Sequence, residues 1–287
     1  MPPLPGGHAF NVRDGARGAF PALPRNGHAR GARPHARDHR MDILLFVYLN
    51  GIWFLAGLLT GLTSFGGNLF AIPLLTLVMP ARDAILFGCL SGTVIFLGLG
   101  FLYRREARWR EIFLLGIATL PGVPLGVYFL HHAGSRLLLL AAGGSLALFL
   151  LWQFLAGRLH VAETPISRWC CLPFGFLSGI MMSAVGMGGP PLVLYAYLRH
   201  WGKESTICGA NLAAAMTMPA LLHSQWAAGL YSPQLLHAAL FGALFGLFGI
   251  AASVPIVHNI DIRLFRRLLL LMIGLSACML LVRGAIA

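Results

Sequence analysis

Two clusters of small and polar residues in this chain are spaced to hold a ligand by hydrogen bonds. The first reads Thr60-Gly61-Leu62-Thr63-Ser64-Phe65-Gly66-Gly67-Asn68, with Pro73 five residues on. The second reads Met182-Ser183-Ala184-Val185-Gly186-Met187-Gly188-Gly189-Pro190-Pro191, followed by Tyr195. Each trails a matching step, Phe54-Leu55-Ala56-Gly57 and Phe176-Leu177-Ser178-Gly179, at an offset of 122 positions. Adjacent glycines lower helix stability by roughly 1 kcal/mol each and permit positive φ, so a helix is expected to break at Gly66-Gly67 and again at Gly188-Gly189. Pro190-Pro191 suits the first turn of a new helix, where a missing N–H costs little. The positive N-terminal end of such a helix favours an anion.

Around these breaks the candidate anion-binding residues are Ser64, Gly66, Gly67, Asn68, Gly186, Gly188, Gly189, Pro190, Tyr195 and Asn211. Asn211 aligns with Cys89 at the same offset and either faces the site or bonds a neighbouring helix. Gly57, Gly61 and Gly179 read instead as close-packing positions between helices. His223, near Gln225 in a long uncharged stretch, is a candidate proton relay, with an interfacial histidine as the plainer reading. Arg82-Asp83 and Lys203-Glu204 occupy corresponding loops and are candidate gating pairs, although solvated loop charges are commoner. Met181, Met182 and Met187 allow a soft-metal site, whereas methionine in apolar helices usually packs. Cys89, Cys170, Cys171, Cys208 and Cys278 contain no Cys-x-x-Cys pair and read as packing residues, so no metal site or cofactor is expected. No nucleophile, base and metal constellation is present, which argues against an enzyme.

The elements that must position these residues are membrane helices. Hydrophobic residues make up 57% and charged residues 10% of the chain, where soluble domains carry roughly 25% charged. No Asp, Glu, Lys or Arg occurs in 43–81, 84–103, 112–130, 137–157, 169–198 or 205–260. A crossing helix needs about 20 apolar residues, so the chain is an all-α polytopic membrane protein. Charges, glycines and prolines cut it into helices near 43–63, 67–80, 84–103, 111–131 and 135–156, then 169–186, 189–200, 204–228, 233–257 and 263–283. The expected organisation is a basic tail over 1–40, a first repeat over 41–157, a connecting loop over 158–168 and a second repeat over 169–287. His131 and Arg136 recur as His258 and Arg263 at an offset of 127.

If all ten segments cross, one side carries Arg104, Arg105, Arg108, Arg110, Arg158, Arg168, Arg199, Lys203, Arg263, Arg266 and Arg267. The other carries Arg82, Arg136 and Arg283. That split obeys the positive-inside rule and makes the first side cytoplasmic. If only the short second helices are re-entrant, the same charges divide evenly. Ten crossings are therefore expected, and five per repeat makes the second half inverted relative to the first. The segment 1–40 holds seven Arg, four His, six Pro and six Gly. It reads as a disordered tail or an early start ahead of Met41-Asp42 rather than a nucleic-acid arm.

With these residues in view, the chain resembles the sulfite exporter TauE/SafE family of membrane permeases over about residues 43–284. Gly66-Gly67-Asn68 to Ile72-Pro73-Leu74 looks like the family's first motif, with Asn68 replacing its usual third glycine. The run from Gly186 to Pro191 resembles its second. The resemblance implies transport of a small anion, a sulfur oxyanion or organosulfonate, with protons as the coupling ion. The expected setting is the inner (plasma) membrane, with lipid as surroundings, no nucleic-acid partner, and a homodimer left open. A soft-metal permease and a non-transporting scaffold factor are the alternatives.

Overall fold

The computed structural model describes residues 36–63, 66–156, 165–257 and 262–286. The expected tail and connecting loop fall largely outside them, as do Ser64 and His258. Among the described residues the fold is entirely helical: α1 Ala36–Thr63, α2 Gly66–Leu75, α3 Ala81–Leu102, α4 Trp109–Thr119, α5 Gly122–His132, α6 Ser135–Ala156, α7 Cys171–Val185, α8 Gly189–Leu198, α9 Lys203–Ala227, α10 Pro233–Val257 and α11 Ile262–Ile286. Short 3-10 turns at Arg104–Glu106 and Arg168–Cys170 precede α4 and α7.

Among the described residues six helices are long and apolar enough to cross a membrane: α1, α3, α6, α7 with its preceding turn, α9 and α10. The helix expected over 111–131 is instead two pieces, α4 and α5, bent by 41°. Pro121 sits between them, and proline in a helix interior removes a hydrogen bond and clashes with the preceding turn. Counted as one, the bent pair makes a seventh span. Among the described residues, length and composition thus give six or seven candidate spans, where ten crossings were expected. The two short helices, α2 and α8, have ten residues each. At about 1.5 Å per residue they reach roughly half of a 30 Å hydrocarbon layer.

The helix ends sort into two groups. At one end Ser205 Oγ donates to Glu106 O (3.0 Å), Tyr195 Oη to Arg168 O (3.3 Å), and Arg199 Nη1 to Ile166 O (2.7 Å). These bonds gather the end of α3 and the starts of α4, α7 and α9 around the end of α8. At the other end Tyr48 Oη donates to Leu74 O (3.1 Å), Arg82 Nη2 to His131 O (2.9 Å), and Arg283 Nη1 to Thr76 O (2.6 Å). They gather the start of α1 and the ends of α2, α5 and α11 around the start of α3. The pairs α1–α2 and α7–α8 are therefore hairpins, each leaving and regaining its own end of the bundle. This places the loops as the ten-crossing count does without asking a ten-residue helix to span.

Close helix approaches recur through the chain. A Cβ on Gly249 of α10 would lie 2.8 Å from Leu58 N of α1, and one on Gly122 would lie 2.8 Å from Ile180 N of α7. A Cβ on Gly57 would lie 3.1 Å from Gly246 Cα, and one on Gly179 would lie 3.1 Å from Thr119 Cα. Gly61 meets Ser253, while Gly126 meets Ser183. In each pair of contacts the α1 and α7 partners differ by 122 and the others by 127. The helices exchange consistently as well: α1 packs on α2 and α10 where α7 packs on α8 and the α4–α5 pair, and α3 packs on α9 at the centre.

Candidate functional site

The tips of the two hairpins meet. At the first tip Thr63 Oγ1 donates to Leu59 O and accepts from Gly66 N (3.1 Å). Thr60 Oγ1 does the same one turn earlier, donating to Ala56 O (2.7 Å) and accepting from Gly67 N (3.0 Å). These hydroxyls satisfy helix-start donors that would otherwise be orphaned in an apolar setting. A Cβ on Gly67 would lie 2.6 Å from Ala56 O, so only glycine lets α2 fold back this closely on α1.

At the second tip α7 stops at Gly186, which takes the left-handed conformation (φ 73°, ψ 13°). Its N–H returns to Met182 O (3.0 Å) and that of Met187 to Met181 O (3.3 Å). A Cβ at Gly186 would also sit 2.7 Å from Ile72 Cδ1 of α2. Ser178 Oγ donates to Gly188 O (2.6 Å), and Pro190 and Pro191 open α8. Among the described residues the N–H groups of Gly188 and Gly189 have no acceptor.

One bond joins the tips: Asn68 Nδ2 donates to Gly186 O at 2.7 Å, across 118 positions of sequence. Beside it lies a cavity of about 20 Å³, lined from α1 by Thr60, from α2 by Asn68 and Leu69, and from α3 by Ile95 and Phe96. Met182 and the Gly186–Gly189 turn line it from the second hairpin, and Ala210, Asn211 and Ala214 from α9. A space of this size holds about one water. No lining residue is ionisable, so any charge placed there meets only dipoles. Asn211 is buried and donates through Nδ2 to Ile207 O (2.7 Å). A carboxamide carries two N–H donors, so Asn68 can spend one on Gly186 O and offer the other.

The structure thus brings Asn68, Gly186, Gly188, Gly189 and Asn211 together, with Gly66, Gly67 and Pro190 framing them from behind. It places two candidates elsewhere. Tyr195 is fully buried, but its hydroxyl donates to Glu111 Oε2 (2.9 Å) and it does not line the cavity. His223 is exposed on α9 and also lies apart from the cavity. Arg82 bonds the end of α5 rather than bridging the halves, and Lys203 and Glu204 are exposed. Cys89, Cys171 and Cys208 are buried thiols, as packing residues should be. No cluster of three or more His, Cys, Asp or Glu that could hold a metal occurs among the described residues.

Two features escaped the sequence reading. Thr60 stands inside the first signature, and its seven-residue spacing to Gly67 was the available signal. The second is an ion pair at the basic end, where Arg199 Nε and Nη2 clamp Glu111 Oε2 and Oε1 at 2.9 and 3.0 Å. Hydrogen bonds to Glu111 hold the Arg199 guanidinium above its already high ordinary value, so it stays charged. The signal for this pair was Glu111 at the edge of a charge-free apolar run, beside a run of arginines.

The sulfite exporter TauE/SafE family model matches residues 49–280, most of the chain and both hairpins. No curated protein and no solved structure matches it. Six apolar helices and a family match of this extent make the chain a multi-pass membrane transporter rather than an enzyme, and it belongs to the sulfite exporter TauE/SafE family.

Proposed function

We infer that this protein is a proton-coupled permease for a small sulfur-containing anion, bound where the two hairpin tips meet. The observation that carries the reading is the Asn68–Gly186 bond beside a cavity lined by both glycine signatures. Gly188 and Gly189 N–H and the second amide hydrogen of Asn68 suit an oxyanion, which accepts hydrogen bonds without needing a fixed cation. A cavity without carboxylates suits a bare metal ion poorly.

The two repeats are inverted in this reading, with each hairpin entering from its own side. The recurring contacts at offsets of 122 and 127, and the exchange of helix neighbours, support that arrangement. So does the grouping of α1–α2 at one end and α7–α8 at the other. The basic end faces the cytoplasm of an inner-membrane protein, by the positive-inside rule. A cavity the size of one water is an occluded conformation. The tips must part for a sulfite-sized anion, and inverted repeats let the same parting occur toward either side.

The test is flux of labelled sulfite into proteoliposomes, with and without a proton gradient, with Cu(I) as comparison. Saturable, gradient-dependent sulfite entry is expected. Copper entry without sulfite would move the site assignment to Met182 and Met187. Absence of both would remove the permease reading.

A further inference from the structure

Glu111, Tyr195 and Arg199 form a partly buried cluster that the anion site does not use. Glu111 comes from α4, in the first half of the chain, whereas Tyr195 and Arg199 come from the end of α8, in the second. The side chains of Glu111 and Arg199 are only 14% and 18% exposed. Both carboxylate oxygens are occupied, Oε2 by Tyr195 Oη and Arg199 Nε, and Oε1 by Arg199 Nη2, with Arg108 Nη1 at 3.9 Å. Arg199 is further braced by its bond to Ile166 O. The cluster closes the basic end directly below the second hairpin.

The opposite end has no counterpart. The repeat offsets carry Glu111 to Ala238, Tyr195 to Pro73 and Arg199 to Leu77, all without a titratable group. The halves are tied there by Arg283 Nη1 on Thr76 O, a bond indifferent to pH because arginine does not titrate. Protonation of Glu111 therefore has no equivalent at the repeat-related positions, although Asp83, His131 and His132 lie at the opposite end.

We propose that Glu111 is the proton-binding group of the transport cycle, and that its protonation unlatches α4 from α8 and opens the basic end to the anion. The proton adds to a carboxylate oxygen, giving a neutral acid. Arg199 keeps its charge and its bond to Ile166, and is left facing the opening with an unpaired guanidinium that attracts the incoming anion. Loss of the proton restores the carboxylate and closes the latch. This rests on the permease reading for its purpose, but the latch can be measured without any substrate.

The groups around Glu111 are compatible with this role. Arg108 immediately precedes α4 and Arg110 lies on it, and Arg168, Cys170 and Cys171 lie at the start of α7. Lys203 and Glu204 open α9, the other long helix packed on α4, while Tyr128, His131 and His132 lie toward the far end of α5. A bidentate arginine favours the charged carboxylate, so the proton must compete with it and the latched form is the deprotonated one.

The experiment is a spin-label distance measurement between Arg110→Cys on α4 and Tyr197→Cys on α8, with Cys170 and Cys278 replaced by serine, in lipid nanodiscs from pH 7 to pH 3, a window that reaches below the ordinary carboxylate range of about 4. In the parent chain the distance should lengthen as pH falls. With Glu111→Gln it should be long at every pH. With Arg199→Lys, which keeps the charge but loses the fork, the transition should move to higher pH. A short, pH-invariant distance in the parent would overturn the proposal. So would a Glu111→Gln protein that keeps the parent's pH response. If Glu111→Gln does not fold, an unshifted transition in Arg199→Lys overturns it alone. Sulfite flux in the same preparations, read separately, reports on the permease reading.

Discussion

Asn68 is the residue on which the site turns. Its side chain fastens the first hairpin to the second, and removing one partner of a buried hydrogen bond costs about 1–3 kcal/mol. Asn68→Ala should therefore lower sulfite entry by roughly tenfold or more while the protein still elutes as a folded species. Initial rates in proteoliposomes at matched protein content measure this. Gly186 makes a different demand. Its left-handed conformation and its closeness to Ile72 mean that Gly186→Ala should lower the thermal midpoint as well as flux, since an L-residue pays about 1–2 kcal/mol there before any crowding. Both residues stood out in the sequence, because paired glycines and a polar neighbour are rare in an apolar run. Tyr195 stood out for the same reason and proved to serve Glu111. Polarity near a break shows that a partner is needed, but the helix turn between Gly189 and Tyr195 decides which partner is met. Glu111 itself was not singled out, because its arginine lies 88 positions away.

At the scale of elements, the two hairpins are the working parts. Residues of the α2 end and of the α8 end lie at opposite ends of the bundle, so their loops should be labelled from opposite sides of a membrane. Single cysteines at Leu77 and His200, in a chain with Cys170 and Cys278 replaced by serine, should react with a membrane-impermeant maleimide from opposite faces. Reaction of both from one face would contradict the hairpin arrangement. Helix locations were readable from charge-free runs and punctuation, and most boundaries fell within a few residues. What was not readable was whether a dozen-residue helix crosses. Length alone leaves crossing and returning open, and the answer came from contacts such as Tyr48 with Leu74 and Ile166 N with Leu198 O. The break between α4 and α5 was missed although Pro121 marks it, because the apolar run continues unbroken on both sides.

At the scale of the molecule, the proposed function needs two halves of one design. Gly122 and Gly249 are corresponding contacts, each against the backbone of a hairpin's long helix. Gly122→Val and Gly249→Val should destabilise the protein alike, by about 2 kcal/mol or more from overpacking. Thermal unfolding in detergent would show it. A large loss in one and none in the other would weaken the case for equivalent halves. Glycines at a fixed offset, at positions where bulkier residues cannot fit, are what the proposed repeat rests on.

The central claim is that a small anion crosses where the two tips meet, and labelled sulfite exchange in proteoliposomes carrying Asn68→Asp tests it most directly. A carboxylate at this position keeps the size of the side chain but sets a negative charge against the substrate. The account predicts saturable exchange in the parent chain and its loss in Asn68→Asp at neutral pH, with partial return as the medium is made acidic enough to protonate the new carboxylate. Exchange in Asn68→Asp equal to that of the parent at every pH would contradict it.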